Sequence, residues 1–201
     1  MQGFFVCSFF MTVITISRQA GSNGRQIAEQ AAALLGYRIV WREVINQAAL
    51  RAGAPAMALA MIDELNLLGV CPSEEECQTY LLAVEQVVKE LAQQGNVIIV
   101  GRAGLCILAD HPQALHVRII APQELRALRL VERHAISLSA ARAQVKARDR
   151  YRRDYLRRFY QVDWNDPAHY DLVINSARLS NAAAAELIYQ LVNVQTAGAP
   201  G

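Results

Sequence analysis

Ten of the eighteen arginines in this chain fall between Arg126 and Arg158, whereas lysine occurs only as Lys89 and Lys146. Guanidinium groups in that number suit an anion whose charge is spread over several oxygens, and a phosphoryl group in transfer is such an anion. In the stretch SAARAQVKARDRYRRDYLRRFYQVDWNDP, Arg150, Arg153 and Arg157 recur at i, i+3, i+7 spacing. They therefore share one helical face, with Asp154 inside the cluster to hold them. A solvated charged face is the plainer explanation of such a run. An RNA-binding helix is a third, in which Tyr151, Tyr155, Phe159 and Tyr160 would stack on bases. Those aromatic residues read better as core and hinge packing.

A second stretch also speaks of anions. VITISRQAGSNGRQIA, residues 13–28, is an alternating apolar run, a turn of small residues, and the first turns of a helix. A loop so placed points backbone N–H groups and the positive helix end at an anion. Gly21 and Gly24 allow close approach and positive φ, and Ser22 and Asn23 lie between them. Set against GxxxxGK[ST], residues 19–26 keep only Gly24: Gln19 replaces the first glycine, Arg25 the lysine and Gln26 the hydroxyl residue. Arg25 can still pair with phosphate oxygens through its planar fork. Ser17 and Ser22 are the nearby hydroxyls, and no aspartate ends the third predicted strand, so ligands for magnesium are not evident.

The elements that must position these residues follow from periodicity. Strands are predicted at 13–17, 37–41, 97–100, 116–120 and 170–175, of which VIIV at 97–100 reads as buried on both faces. Helices are predicted over 24–35, 42–52 and 55–68. Another begins at Ser73, in an S-x-x-E capping box with Glu76, and stops at Gly95. The last helix runs from Ser180 or Asn181 to about Val194, with a frayed tail over 196–201. Strands separated by helices imply a doubly wound, five-stranded parallel sheet with helices on both faces. Ligands then bind beyond the carboxyl ends of the strands. That places the 18–26 loop, Gly101 with Arg102, and Asn175 through Arg178 at the site.

Taken together, ITISRQAGSNGRQIAEQAAALLGY, GNVIIVGRAG, VKARDRYRRD with DWNDP, and YDLVINSARLSNAAAAELI resemble the cytidylate kinase-like family of P-loop nucleoside monophosphate kinases. The resemblance spans most of residues 12–191. It implies a single kinase domain over 12–195, with a helical monophosphate-binding segment at 42–95 and an arginine-bearing lid at 134–168. It also implies ATP as donor, with Mg2+. Arg148, Arg150, Arg153, Asp154 and Arg157 then handle phosphates from the lid. Arg102 takes the acceptor phosphate, while Asn175 and Ser176 lie near the donor base. The loop departs from the family's lysine-bearing form, and Trp41 stands where many relatives have aspartate.

The activity expected is ATP-dependent phosphoryl transfer to a nucleoside monophosphate such as CMP or dCMP, or to another small phosphate acceptor. A nucleotide-binding regulator that kept the kinase shape is the alternative. A dinucleotide-binding domain, with Glu43 on the ribose, is third, but GSNG is not G-x-G-x-x-G.

Composition bounds the rest. A length of 201 residues, 53% of them hydrophobic, suits one sizeable core. A formal net charge of +2 gives no reason to expect a nucleic-acid partner. The four cysteines show no metal-ligand spacing and read as buried thiols in a reducing, cytoplasmic setting. Residues 1–11 are too short to span a membrane and read as an extension, with Met11 as an alternative start. His111, His116, His134 and His169 suggest no catalytic role, and His169 beside the lid hinge is the one to test.

Overall fold

The computed structural model describes residues 12–51, 53 and 73–198. Five strands, β1 (Val13–Arg18), β2 (Arg38–Val40), β3 (Val97–Val100), β4 (Ala114–Ile120) and β5 (Leu172–Asn175), form one sheet in the order β2-β3-β1-β4-β5. Every pairing is parallel. The described helices are α1 (Gly24–Leu35), α2 (Arg42–Arg51), α3 (Glu74–Gln94), α4 (Gly104–Ile107), α5 (Gln123–His134), α6 (Leu138–Tyr160) and α7 (Asn181–Gly198). This is the doubly wound α/β arrangement that the alternating strands and helices predict.

Strand alternation divides the core in two. Ile14, Ile16, Ile98, Val100, Val117 and Ile119 face α1 and α7. Small residues make the close contact there: Ala28, Ala31 and Ala32 of α1 and Ala184 and Ala185 of α7 are all buried. On the other face Val13, Val97 and Ile99 pack against Tyr80, Val84 and Val88 of α3. Each such fully buried aliphatic side chain contributes about 1.5–3 kcal/mol. α1 stops where Gly36, at φ +67°, closes its last turn by donating to the Ala32 carbonyl.

The sheet is not apolar throughout. Arg118 of β4 is buried beneath the DWNDP segment, where it donates to Asn165 Oδ1 (2.8 Å) and Tyr170 Oη (3.3 Å). Its guanidinium carbon lies 4.4 Å from the Trp164 ring centroid. The arginine thus pins the chain between α6 and β5 to the sheet. Beside it Thr15 Oγ1 and His116 Nδ1 share a 2.6 Å hydrogen bond, while the His116 amide donates to Asp171.

Two expectations change. The last helix continues to Gly198 because Thr196 and Ala197 tolerate helix and the breakers come only at Gly198 and Pro200. Cys77 is fully buried and disulfide-bonded, not a free thiol. Cys106 is free, and burial pushes its thiol up to about 12, far from a reactive thiolate. The helix expected at 55–68 and the extension at 1–11 lie outside the described residues. No described helix is long and apolar enough to cross a membrane.

Candidate phosphate site

The strand order leaves β1 between β3 and β4, and the crevice beyond their carboxyl ends is where a ligand reaches the sheet. Three segments meet there: the loop of residues 19–23, the turn after β3, and the start of α5.

The loop follows its predicted course, but its glycines divide the work differently. Gly21 has φ +78°, and a Cβ there would lie 2.5 Å from the Arg126 carbonyl oxygen. The second left-handed residue is Asn23 (φ 59°), directly before α1, and not Gly24. Gly24 is already helical. What it requires is room, since a Cβ would stand 2.6 Å from Arg18 Cβ. Asn23 does not cap α1 with its side chain. That side chain instead accepts from Arg133 Nη2 (3.2 Å) and donates to Asn181 Oδ1 (3.3 Å). The first amides of a twelve-residue helix are thereby left without a side-chain cap, open to an anion.

Around the loop runs a clasp of charged side chains. Buried Arg126 donates from Nε to the Ala121 carbonyl (2.8 Å) and from Nη1 to the Ala20 carbonyl (3.0 Å) and to Asp149 Oδ2 (2.6 Å). Asp149 in turn accepts from the Ala20 amide through Oδ1 (2.8 Å). Arg152 reaches the Arg18 carbonyl (3.0 Å) and approaches Asp149 (3.5 Å). One turn along α5, Arg129 donates to Ser176 Oγ (3.0 Å) and to the Ser176 carbonyl (2.8 Å). Burial first, then the neighbouring Arg133, lowers the Arg129 pKa, against a smaller opposing pull from Glu132.

Some sequence-predicted residues sit inside this clasp. Ser22 is fully buried with its hydroxyl turned back onto the Gln19 carbonyl (2.9 Å). Ser176 donates to the Ser22 carbonyl (2.8 Å), so it braces the loop. Gln26, with its amide oriented to satisfy both ends, accepts from Arg133 (2.8 Å) and donates to the Asn23 carbonyl (3.2 Å). Asn175 caps its own turn by accepting from the Ala177 amide (3.1 Å).

Others face outward. Arg25 is 71% exposed, pairs with Glu29 (3.0 Å), and holds its guanidinium carbon 5.0 Å from the Trp41 ring centroid. To meet a phosphate in the loop it would have to leave both. Arg150 and Arg153 line a cavity of about 540 Å³ together with Gln123, Arg126, Lys146 and Asp149. Asp154 pairs with Arg153 (3.3 Å) as predicted, though both are half exposed. Arg157 is exposed and does not line that cavity, and neither does Arg148.

The turn after β3 is strained. Gly101, Arg102 and Ala103 all have positive φ (84°, 54° and 53°), a cost that non-glycine residues bear only where the surroundings enforce it. Here the Gly101 amide donates to the Ile16 carbonyl (3.1 Å), and Ala103 is buried against Tyr155, Leu156 and Trp164. Arg102 is thereby held at the end of β3, close enough to Tyr155 to oppose the rise that burial imposes on that phenol.

The sequence places Arg18 in the loop without showing its role, and Arg126, Arg129, Arg133 and Asp149 were not among the expected site residues. A signal was available for three of them: Arg126, Arg129 and Arg133 also stand at i, i+3, i+7. Asp149 carried none for its bonds to Ala20 and Arg126, because those partners are 129 and 23 residues away.

Known proteins resemble this chain in sequence and in fold. The chain is 29% identical to a cytidylate kinase of Ignicoccus hospitalis, the alignment covering 90% of this chain and 99% of that protein. It is 27% identical to one of Methanocella arvoryzae, over 90% and 97%. Among solved structures, a protein from Eubacterium ventriosum superposes with a TM-score of 0.75 at 20% identity, covering 92% of this chain and 99% of that one. A shikimate kinase from Acinetobacter baumannii gives a TM-score of 0.51 at 13% identity, over 92% and 94%. The profile of the cytidylate kinase-like family matches residues 13–178. On a P-loop kinase fold, therefore, this chain belongs to the cytidylate kinase-like family.

Proposed function

We propose that the protein transfers a phosphoryl group from ATP to a nucleoside monophosphate of the CMP or dCMP kind. The observation that carries the reading is the uncapped α1 N-terminus facing the crevice, preceded by a loop whose Ala20 is bonded by Arg126 and Asp149, two residues that line a cationic cavity. Amides of residues 21–25 and the helix end hold the donor phosphates. Arg150 and Arg153 spread charge over the moving group from the lid, with Arg148, Asp154 and Arg157 along the same helix. Arg102 positions the acceptor phosphate. Catalysis is then positioning and electrostatics, with no covalent intermediate.

Magnesium finds no cage among the described residues. Among the described residues no three histidine, cysteine or carboxylate side chains gather to hold a metal, and Asp149 is tied to Arg126 and Ala20. The donor set does not fit a resident ion, and no step above runs through one.

The test is diphosphate formation from ATP across a panel of monophosphates that includes CMP and dCMP. Turnover with one acceptor far above the others establishes the reaction and its substrate. Tight ATP binding without turnover favours the regulatory reading, which draws its own support from Arg25, held away by Glu29 and Trp41.

A further inference from the structure

We infer that Arg18 is the cation that grips the donor phosphates, in the role that the loop's missing lysine leaves open; the inference rests on the kinase reading above. Arg18 ends β1 on the face that carries Ile14 and Ile16, the face covered by α1. Two glycines on different elements record the path of its side chain. A Cβ on Gly24 would stand 2.6 Å from Arg18 Cβ and 3.0 Å from Cγ, so the stem runs beneath the first residue of α1. A Cβ on Gly101 would collide with Arg18 Nη1 and lie 3.4 Å from Cζ, so the guanidinium arrives at the end of β3. The side chain therefore spans the crevice between β1 and β3 directly under the helix end.

The backbone beneath it is fixed independently of that side chain. The Arg18 carbonyl accepts from Arg152 (3.0 Å), and Ile16 accepts from the Gly101 amide (3.1 Å). The positive end of α1 and the Arg18 guanidinium thus meet at one crevice. A helix N-terminus by itself favours negative charge near it, so an anion with several oxygens engages both together. The planar fork of arginine takes two of those oxygens at once, as the terminal phosphates of a nucleoside triphosphate offer them. Gly24 is informative because its backbone is helical: it needs no glycine for φ, and its missing Cβ makes way for the arginine stem.

Calorimetric titration with ATP of the wild type and of Arg18→Ala, Arg18→Met, Arg18→Lys, Arg25→Ala and Arg38→Ala tests this, alongside turnover with CMP. Arg18→Met and Arg18→Ala weaken ATP binding by roughly 10- to 100-fold, the span expected for losing hydrogen bonds to a charged group. Arg18→Lys recovers most of that loss, and Arg38→Ala, whose side chain pairs with Gln94 at the start of β2, binds as the wild type does. Arg18→Met keeps an unbranched stem under Gly24, so it decides the matter should Arg18→Ala fail to fold. Binding by Arg18→Met within twofold of wild type overturns the inference, as does a larger loss at Arg25→Ala. A wild type that binds ATP but forms no diphosphate defeats the kinase reading and leaves the Arg18 ranking to decide this one. A wild type that binds no ATP overturns both.

Discussion

Two helices of this protein carry the same arginine spacing and use it in opposite ways. On α5, Arg126, Arg129 and Arg133 turn toward the loop and spend their donors on the Ala20, Ala121 and Ser176 carbonyls, Asp149 and Asn23. On α6, Arg150, Arg153 and Arg157 stand exposed, two of them over the cavity. An identical i, i+3, i+7 pattern therefore says that three side chains share a face, not whether that face is scaffold or site. The difference is set by what lies opposite: backbone carbonyls of a tight loop for one helix, open solvent for the other.

The comparison makes unequal demands on stability and activity. Arg126→Ala should have the largest effect, because it removes a buried guanidinium, leaves partly buried Asp149 without its 2.6 Å partner and frees two carbonyls. A loss of about 3–5 kcal/mol in denaturant unfolding is expected; a loss under 1 kcal/mol would erase the distinction between the helices. Arg153→Ala and Arg150→Ala should do the reverse, lowering turnover about 100-fold while unfolding midpoints hold, as exposed substitutions do within about 0.5 kcal/mol. Equal damage to stability would move them into the scaffold. Ser176→Ala removes the hydroxyl that links Arg129 to the Ser22 carbonyl. It should cost about 1–3 kcal/mol, measured in the same unfolding assay.

The smallest effect lies away from both helices. Burial lowers the His116 pKa, against a weaker opposing pull from Asp171, so the fold favours the neutral ring. The unfolded chain then binds the extra proton. Stability is complete above about pH 6.5 and declines as pH falls below it. Urea unfolding between pH 7.5 and 5.5 should show that decline in the wild type and a flatter curve in His116→Asn. A wild-type curve just as flat would show that His116 is not the titrating group.

Much of the fold was legible because strands and helices here obey their own periods. VIIV at 97–100 and the apolar stripe of 24–35 became β3 and α1 with the bounds expected. The crevice was legible as well, since it follows from parallel strands alone. Side-chain destinations were not. Arg25 occupies the lysine's place in the motif, yet Trp41 and Glu29 offer it a nearer partnership. Ser22 sits among the loop's small residues but spends its hydroxyl on Gln19. Arg18 was expected only as the first residue of the loop, and it is Gly24 and Gly101, 77 positions apart in the chain, that reveal where its head lies.

The bond from the Ala20 amide to Asp149 joins residues 129 positions apart, and it turns one proton into a timer. An amide locked by a carboxylate exchanges with solvent only when the two segments part. The deuterium uptake of Ala20 therefore counts how often α6 lets go of the loop, residue by residue and without any substrate present.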